Sequence, residues 1–247
     1  MKSFGLTDKG KVRKDNQDCF IIESCPVRSC LIAALCDGMG GENAGEIASA
    51  VANKAFVSYI YDRLTSRTIK NVNYKEVLTN ACAEANGVAY EYSLFDKAYS
   101  GMGTTLVGGV IKSGGNGYII NVGDSRAYHI SKRANSIYQI TRDHSLVEEL
   151  VEVAITKEQA RLHPQKNVIT RALGSEAEVR PDYFEFTLQP GDILLLCSDG
   201  LSNMVTDLEM LEYAKEYQDP ELICRALMSK ALIRGARDNV TVVAVMR

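Results

Sequence analysis

Five aspartates lie at the ends of short apolar segments and are the residues of this sequence best suited to chemistry: Asp18, Asp37, Asp124, Asp199 and Asp238. Short apolar segments bounded by turn residues are typical of buried strands. A carboxylate at the end of a buried strand is costly unless its charge is compensated. Several carboxylates in one place repel each other, and divalent cations are the simplest compensation. The pattern therefore predicts a metal site with oxygen ligands.

The available ligand types favour magnesium or manganese over zinc. The chain has three histidines, at 129, 144 and 163, without zinc-ligand spacing, and its cysteines form no CxxC pair. Carboxylates without imidazole or thiolate suit the harder ions, and the closely spaced acids of a calcium loop are absent. Two ions that share one carboxylate would activate a water as a nucleophile. Asp37 suits the bridging role, because the Gly38 that follows it allows close approach of a backbone carbonyl.

Arg13 lies just before the first of these aspartates. A guanidinium group binds phosphate through two parallel hydrogen bonds, so an arginine beside two metal ions indicates phosphoryl chemistry. The alternatives are that Arg13 is a solvated surface residue and that each aspartate belongs to a turn, since Asp-Gly and Gly-Asp are common turn dipeptides. Asp37 and Asp199 are harder to explain in this way, because each follows a full apolar run and precedes glycine.

The composition sets the class of protein. The chain has 247 residues, 46% of them hydrophobic, and a net charge of -3, which argues against nucleic acid or an anionic membrane as the main partner. The seven cysteines suit a reducing compartment. We find neither a signal segment nor an apolar run of about 20 residues, the length of a membrane span. We therefore expect one catalytic domain over residues 1–247 that is cytoplasmic, monomeric and not inserted in a membrane.

The periodicity of apolar residues predicts strands alternating with long helices. Residues 44–64 form a predicted helix with an apolar stripe at Ile47, Val51, Ala55 and Tyr59. A second helix begins at Asn73, with Glu76 as its capping partner, and a last one follows Asp219. Three strands are predicted within 105–111 and 117–130. Long helices with mostly non-alternating strands indicate sheets covered by helices, in two or more layers.

Residues 143–170, here called the insert, have a sequence pattern that differs from the strand-rich segments around them. Two capping signals occur close together, Ser145 with Glu148 and Thr156 with Gln159, and Pro164 would end the second short helix. Short helices that bury few apolar residues have low local stability. We expect the insert to act as a mobile lid that decides which substrates are accepted.

Eight motifs occur in order along the chain. They are Arg13 through Asp18, Asp37-Gly38-Met39-Gly40-Gly41, Gly101-Met102-Gly103-Thr104-Thr105, Asn121-Val122-Gly123-Asp124-Ser125-Arg126, Asp143-His144-Ser145, Thr170-Arg171-Ala172-Leu173-Gly174, Cys197-Ser198-Asp199-Gly200-Leu201 and Asp238-Asn239-Val240-Thr241. Each motif alone is weak, but the ordered series resembles the PPM metal-dependent protein serine/threonine phosphatases, the type 2C phosphatases. The resemblance covers essentially the whole chain and is greatest to the bacterial stand-alone catalytic form.

This resemblance implies an α+β fold, an αββα sandwich of two antiparallel sheets flanked by helices, with the insert as a flap beside the site. It implies that Asp37 bridges two Mn²⁺ or Mg²⁺ ions and that the Gly38 carbonyl completes one shell. Asp199 and Asp238 would bind the other ion. Asp124 would hold a weaker third ion, which shares Asp199.

The remaining implied roles concern substrate and support. Arg13 would bind the phosphate and take part in catalysis, Asp18 would support metal-bound waters, and Asn239 would lie next to the ligands. Two positions depart from the family pattern. Met39 stands where eukaryotic members often carry histidine and cannot donate a proton, so water on a metal must protonate the leaving oxygen. Gln17 stands where some members have glutamate and is not counted as a ligand.

The resemblance implies a protein serine/threonine phosphatase that hydrolyses phosphoserine and phosphothreonine with a water activated by two metals. Its partners would be phosphorylated proteins, including a serine/threonine kinase whose action it reverses. Two alternatives are a catalytically silent phosphoprotein-binding module and a hydrolase of small phosphate esters. A silent member is expected to lose metal aspartates, and every matched aspartate is present, so the enzyme is the preferred interpretation.

Overall fold

Two antiparallel sheets lie face to face in the computed structural model, which describes residues 1–40, 44–68, 70–95, 97–153, 163–165 and 167–247. The first sheet has the strand order β1-β11-β10-β7-β8, and the second has the order β2-β3-β5-β6-β9, with β4 paired to β3. Helices cover the outer face of each sheet. The predicted αββα sandwich is confirmed.

The strands are β1 (Lys2–Asp8), β2 (Asp18–Cys25), β3 (Cys30–Met39), β4 (Gly103–Thr104), β5 (Leu106–Lys112), β6 (Asn116–Val122), β7 (Arg126–Ser131), β8 (Ser136–Gln139), β9 (Asp182–Thr187), β10 (Ile193–Cys197) and β11 (Val240–Met246). The helices are α1 (Ala44–Thr65), α2 (Tyr74–Phe95), α3 (Leu146–Val153), α4 (Asp199–Ser202), α5 (Asp207–Glu216) and α6 (Pro220–Ile233). No helix in this part of the chain is both long and apolar enough to cross a membrane.

The core consists of three apolar layers, one at each interface of the sandwich. Strand β3 shows how they arise, because successive side chains of a strand point to opposite faces. Ile32 and Ala34 pack against α1 and α2, whereas Leu31 and Leu35 pack against the other sheet. Helices α5 and α6 cover the far side of the first sheet. A strand buried on both faces needs apolar residues at every position, which explains why these segments do not alternate.

Helix α1 begins where it was predicted, but its most buried face is one position away from the predicted stripe. Ile47, Val51, Ala55 and Tyr59 are only partly buried, and the fully buried residues are Ala48, Ala52, Phe56 and Ile60. Two of these are alanines, which allow close approach of the helix to the sheet but carry little hydrophobic signal. The glycine-rich turn before the helix, at 41–43, lies outside the described residues.

The capping signals were reliable where the structure describes them. The Glu76 backbone N–H donates to Asn73 Oδ1 at 3.3 Å, and Asp219 caps α6 with Pro220 at its first position. Helix α5 was not predicted, although Thr206 and Glu209 form a complete capping box at its start. Strands β8 and β9 were missed as well.

The base of the insert is closed by backbone hydrogen bonds between its two ends. The Thr170 N–H donates to the His144 carbonyl at 2.8 Å, and the Leu146 N–H donates to the Val168 carbonyl at 2.9 Å. The first capping signal is confirmed, since the Glu148 N–H donates to Ser145 Oγ at 3.3 Å ahead of α3. The second signal, Thr156 with Gln159, lies outside the described residues.

Candidate metal and phosphate site

Asp18 and Asp37 are brought together by the pairing of β2 with β3. They are direct partners in the antiparallel register. The Gly38 N–H donates to the Gln17 carbonyl at 3.0 Å, so residues 17 and 38 form a hydrogen-bonded pair. Asp18 and Asp37 are the next, non-hydrogen-bonded pair, in which Cα atoms are about 4.5 Å apart and the side chains leave the same face. Two carboxylates therefore meet at one end of this sheet.

That face is the inner one. Leu31 and Leu35 face the other sheet, and Asp37 continues their alternation along β3. Across the gap, Ser198 Oγ donates to Asp18 Oδ2 at 2.8 Å and Thr241 Oγ1 donates to the same oxygen at 2.6 Å. The carboxylate of Asp18 thus connects the two sheets at the point where the apolar inter-sheet core ends.

A cavity of about 220 Å³ opens at this end of the sandwich. Its lining includes most of the predicted site residues, namely Arg13, Asp37, Gly38, Asp124, Asp199 and Asp238, together with Gln17, Met39 and Thr105. A second cavity, of about 270 Å³, shares Asp124, Asn167 and Asp199 with the first and extends along the insert. Asp18 and Asn239 are buried beside the first cavity and do not line it.

The acidic side chains act on one another electrostatically. Burial raises the pKa of Asp37 well above its usual value, and the charges of Asp18, Asp199, Asp124 and Asp238 raise it further. Burial, followed by the charge of Asp199, raises the pKa of Asp124 to about 8. Burial also raises the pKa of Asp18 to about 7, although Thr241 and Ser198 hydrogen-bond to its ionised form. Without compensating positive charge, Asp18 and Asp124 therefore hold protons near neutral pH.

The donor set fits hard divalent cations. Every candidate ligand atom is an oxygen. Asp18 Oδ1 is buried without a hydrogen-bond partner among the described residues, as expected of an atom that serves a hydrated ion. Among the described residues, no group of three or more His, Cys, Asp and Glu side chains is arranged to hold a metal ion by itself. Any ion here would thus have few protein side chains and would complete its shell with carbonyl oxygen and water, which is the habit of magnesium.

Arg13 is placed to meet an anion at the cavity mouth. Its guanidinium donates to Asp238 Oδ2 at 2.8 Å, yet its side chain is 55% exposed. Asn239 shapes the loop that carries Arg13, because its Oδ1 accepts from the Gln17 N–H at 2.9 Å and its Nδ2 donates to the Asp15 carbonyl at 2.9 Å. The structure therefore gives Asn239 a role in holding the arginine loop against β11.

Position 38, next to Asp37 in β3, requires glycine. A Cβ atom at Gly38 would overlap the carbonyl oxygen of Gly45 and lie 2.7 Å from that of Gln17. Three chain segments therefore cross at this point only because residue 38 has no side chain.

Two hydroxyl groups that sequence reasoning missed connect the acidic segments. Thr105 Oγ1 accepts from the Asp37 N–H at 2.9 Å and lies 2.7 Å from Ser125 Oγ. Thr105 therefore joins the end of β3 to the turn that carries Asp124. Ser198 and Thr241 were missed in the same way. All four occur inside the quoted motifs, next to or near a candidate acid, but nothing in their spacing marks them as its partners.

No histidine in the described part of the chain lines the cavity, whereas Met39 does. His129 lies 2.8 Å from Asp192 Oδ2 and 2.7 Å from the Tyr138 hydroxyl. His144 contacts Gly123 and Asp182. The side chains of the cavity therefore include no imidazole that could act as an acid.

We expect the metal-free protein to lose thermal stability as the pH rises from about 5 to about 8. The folded-state pKa values of Asp18 and Asp124 are about 7 and about 8, against about 3.9 in an unfolded chain. The folded state thus binds more protons over this range, and raising the pH favours unfolding. Melting temperatures in EDTA measure the loss, which should be smaller in Asp124→Asn. A melting temperature that rises across this range would contradict the assignment.

Thr241→Val should destabilise the protein by about 1.5–3 kcal/mol, the usual contribution of one hydrogen bond to a charged group. The substitution keeps the shape but removes the hydroxyl that donates to Asp18. Thr241→Ser keeps that hydroxyl and is the matched control. Denaturant unfolding in EDTA measures both variants, and an equal loss of stability in the two would show that the hydrogen bond is unimportant.

Comparison with known proteins identifies the family of the chain. The protein phosphatase 2C family model matches residues 9–232. The chain is 38% identical over 246 residues to the serine/threonine phosphatase stp of Listeria welshimeri, covering 98% of this chain and 94% of that protein. It resembles the crystal structure of Stp1 from Staphylococcus aureus, with a TM-score of 0.90, 36% identity and coverage of 99% and 94%. It also resembles the catalytic domain of the serine/threonine protein phosphatase PstP in complex with two manganese ions, with a TM-score of 0.81, 32% identity and coverage of 98% and 96%. With a matching family model and relatives aligned along almost its whole length, the chain belongs to the protein phosphatase 2C family.

Proposed function

We propose that this protein serine/threonine phosphatase hydrolyses phosphoserine and phosphothreonine in the cavity at the end of the two sheets, with Mn²⁺ or Mg²⁺ as its cofactor. The observation that carries the proposal is the lining of that cavity, where four aspartates and one arginine meet. Carboxylates raise one another's pKa when they converge, and divalent cations compensate such charge. The family is metal-dependent, and the related PstP structure contains two manganese ions.

The proposed ligands of the two tightly bound ions are Asp37, the Gly38 carbonyl, Asp199 and Asp238. Asp37 would be the bridging ligand. Burial raises its pKa most, and the charges of Asp18, Asp199, Asp124 and Asp238 raise it further, so Asp37 lies close to the other candidate ligands. Asp124 would hold a weaker third ion together with Asp199, and these two residues line both cavities. Divalent ions at such a site supply Lewis acidity that activates water at neutral pH.

The side chains of the chain bind and orient the substrate. Arg13 would grip the phosphate through paired hydrogen bonds; its exposed guanidinium beside Asp238 supports this role. Asp18 keeps one oxygen bound to Ser198 and Thr241, and the other has no donor among the described residues. That second oxygen would support a metal-bound water next to the cavity.

The proton for the leaving serine or threonine oxygen would come from water. Met39 has no proton to donate, and the cavity lining described by the structure contains no histidine. The pH dependence of turnover should accordingly lack the contribution of a histidine acid.

The substrates would be phosphorylated proteins. They would include a serine/threonine kinase whose action this phosphatase reverses. The second cavity supports a role for the insert in selecting them, since Ser145, Val147 and Glu148 line it beside Asp124. Three further charged residues of the insert that could meet a substrate protein, Lys157, Glu158 and Arg161, lie outside the described residues. We further propose that the enzyme works as a monomer in the cytoplasm; all seven cysteines are free thiols, which supports a reducing compartment.

Phosphate release from a phosphothreonine peptide should require Mn²⁺ or Mg²⁺ and stop in excess EDTA. Asp199→Ala and Asp238→Ala should each lower kcat by more than about 100-fold, because even residues that only support a metal ligand are worth about 10–100-fold. Glu84→Ala, at an exposed acid on α2, is the control and should keep wild-type turnover. Full activity in EDTA would refute the metal dependence. Binding of the peptide without turnover would leave only a phosphoprotein-binding module.

Arg13→Ala should raise KM for the phosphopeptide by roughly 10–100-fold, the equivalent of losing a charge-assisted hydrogen bond of about 1.5–3 kcal/mol. Arg13→Lys keeps the charge without the planar fork and should fall between the wild type and the alanine variant. Manganese titration of each variant separates this effect from the contact with Asp238. The same KM in all three proteins would exclude Arg13 from phosphate binding.

A further inference from the structure

The imidazole of His144 is hydrogen-bonded to the turn that precedes Asp124. His144 Nδ1 accepts a hydrogen bond from the Gly123 N–H at 3.1 Å, and the His144 N–H donates to the Gly123 carbonyl at 2.9 Å. The side chain is buried, with 5% of the residue exposed. One histidine therefore satisfies both backbone groups of the residue next to Asp124.

The hydrogen bond that Nδ1 accepts fixes the tautomer of His144. Because Nδ1 accepts from a backbone N–H, it carries no proton, and the proton of the neutral ring is on Nε2. Nε2 lies 3.2 Å from Asp182 Oδ2, and Asp182 is held in turn by Arg171 at 3.1 Å. Burial lowers the pKa of His144, which favours the neutral ring. The imidazole is thus oriented from one side by β9 and acts on Gly123 from the other.

Asp143, the residue before His144, holds the chain on the other side of Asp124. Arg126, two residues after Asp124, donates from its NH2 group to Asp143 Oδ2 at 2.6 Å and from Nε at 2.9 Å. The dipeptide Asp143-His144 therefore holds the chain both before and after Asp124. The same dipeptide begins the insert, and the His144 carbonyl accepts from Thr170 at the other end of the insert.

The turn at Gly123 is tightly packed. Gly123 has a φ of 101°, and a Cβ atom there would lie 2.6 Å from Thr105 Cγ2. The backbone is therefore pressed against Thr105 on one face and hydrogen-bonded to His144. Loss of the hydrogen bond to Nδ1 should therefore displace Asp124, because the tightly packed turn cannot adjust independently of it.

We propose that His144 is a positioning residue that sets the affinity of Asp124 for its ion through the Gly123–Nδ1 hydrogen bond. The proposal rests on the proposed function, in which Asp124 serves the weaker third ion. His144 lines neither cavity, so its effect on the ion would be indirect. It acts by holding the Asp124 backbone where the carboxylate meets Asp199.

A matched pair of variants separates the two ring nitrogens. In His144→Asn the amide oxygen takes the place of Nδ1 and can accept from Gly123. In His144→Gln the amide reaches the place of Nε2 and leaves the Gly123 N–H unpaired. Calorimetric titration of the metal-free proteins with Mn²⁺ should give wild-type affinity for the weak ion in the asparagine variant. In the glutamine variant that affinity should be roughly 10-fold weaker, in the range of other residues that orient a metal ligand, while the two tight sites are unchanged.

Hydrogen exchange supplies a readout that does not depend on activity. The Gly123 amide should exchange faster in His144→Gln than in His144→Asn. In the unmodified protein, its exchange should slow further when Mn²⁺ is raised into the range of the weak ion, and no change there would overturn the proposal even if a variant failed to fold. If the wild type binds three ions and both variants lose affinity for the weak ion equally, the proposed role of His144 is wrong, while the assignment of Asp124 stands. Only two ions in the wild type would overturn this proposal and the assignment of Asp124 together, leaving the primary pair intact.

Discussion

The structure depends on one constraint, the mutual repulsion of acidic side chains gathered where the inter-sheet core ends. The core between the sheets is apolar until Asp37 and Asp18 replace leucine and phenylalanine along β3 and β2. Asp18 is tolerated there because hydroxyl groups from the opposite sheet donate to it. The same two hydrogen bonds fix the spacing of the sheets at the site. A charge that would ordinarily oppose folding thus becomes part of the contact that aligns the layers.

Rigid support of the remaining carboxylates follows from this constraint. Charges that repel each other move apart unless the backbone beneath them is held. Thr105 joins the end of β3 to the turn before β7, and Asn239 joins the arginine loop to β11. These residues bear no charge, and their sequence context does not mark them as part of a site. They nevertheless determine whether the acids converge, and a converged set of acids is what a cation can bind without a large rearrangement.

The sequence predicted the acids better than their supports, for a physical reason. Asp37 and Asp199 follow apolar runs and precede glycine, a local signal that needs no knowledge of the fold. The hydroxyl of Thr241 acquires its partner only when two sheets meet, so its pairing with Asp18 is a tertiary fact. Helix α1 shows the same limit, because its buried alanines carry weaker hydrophobic signal than the partly buried Ile47 and Val51. The capping box of α5, by contrast, was a local signal that the sequence offered and the prediction overlooked.

The central position of β11 has a consequence for biosynthesis. This strand follows the other elements in the chain, yet it lies between β1 and β10 and pairs with both. Until it has been translated, β1 lacks its partner and Asp18 lacks the hydroxyl of Thr241. Asp238 and the support that Asn239 gives to the Arg13 loop are missing for the same time. A nascent chain on the ribosome therefore lacks part of the proposed centre, which can be completed only after β11 has emerged and inserted into its sheet.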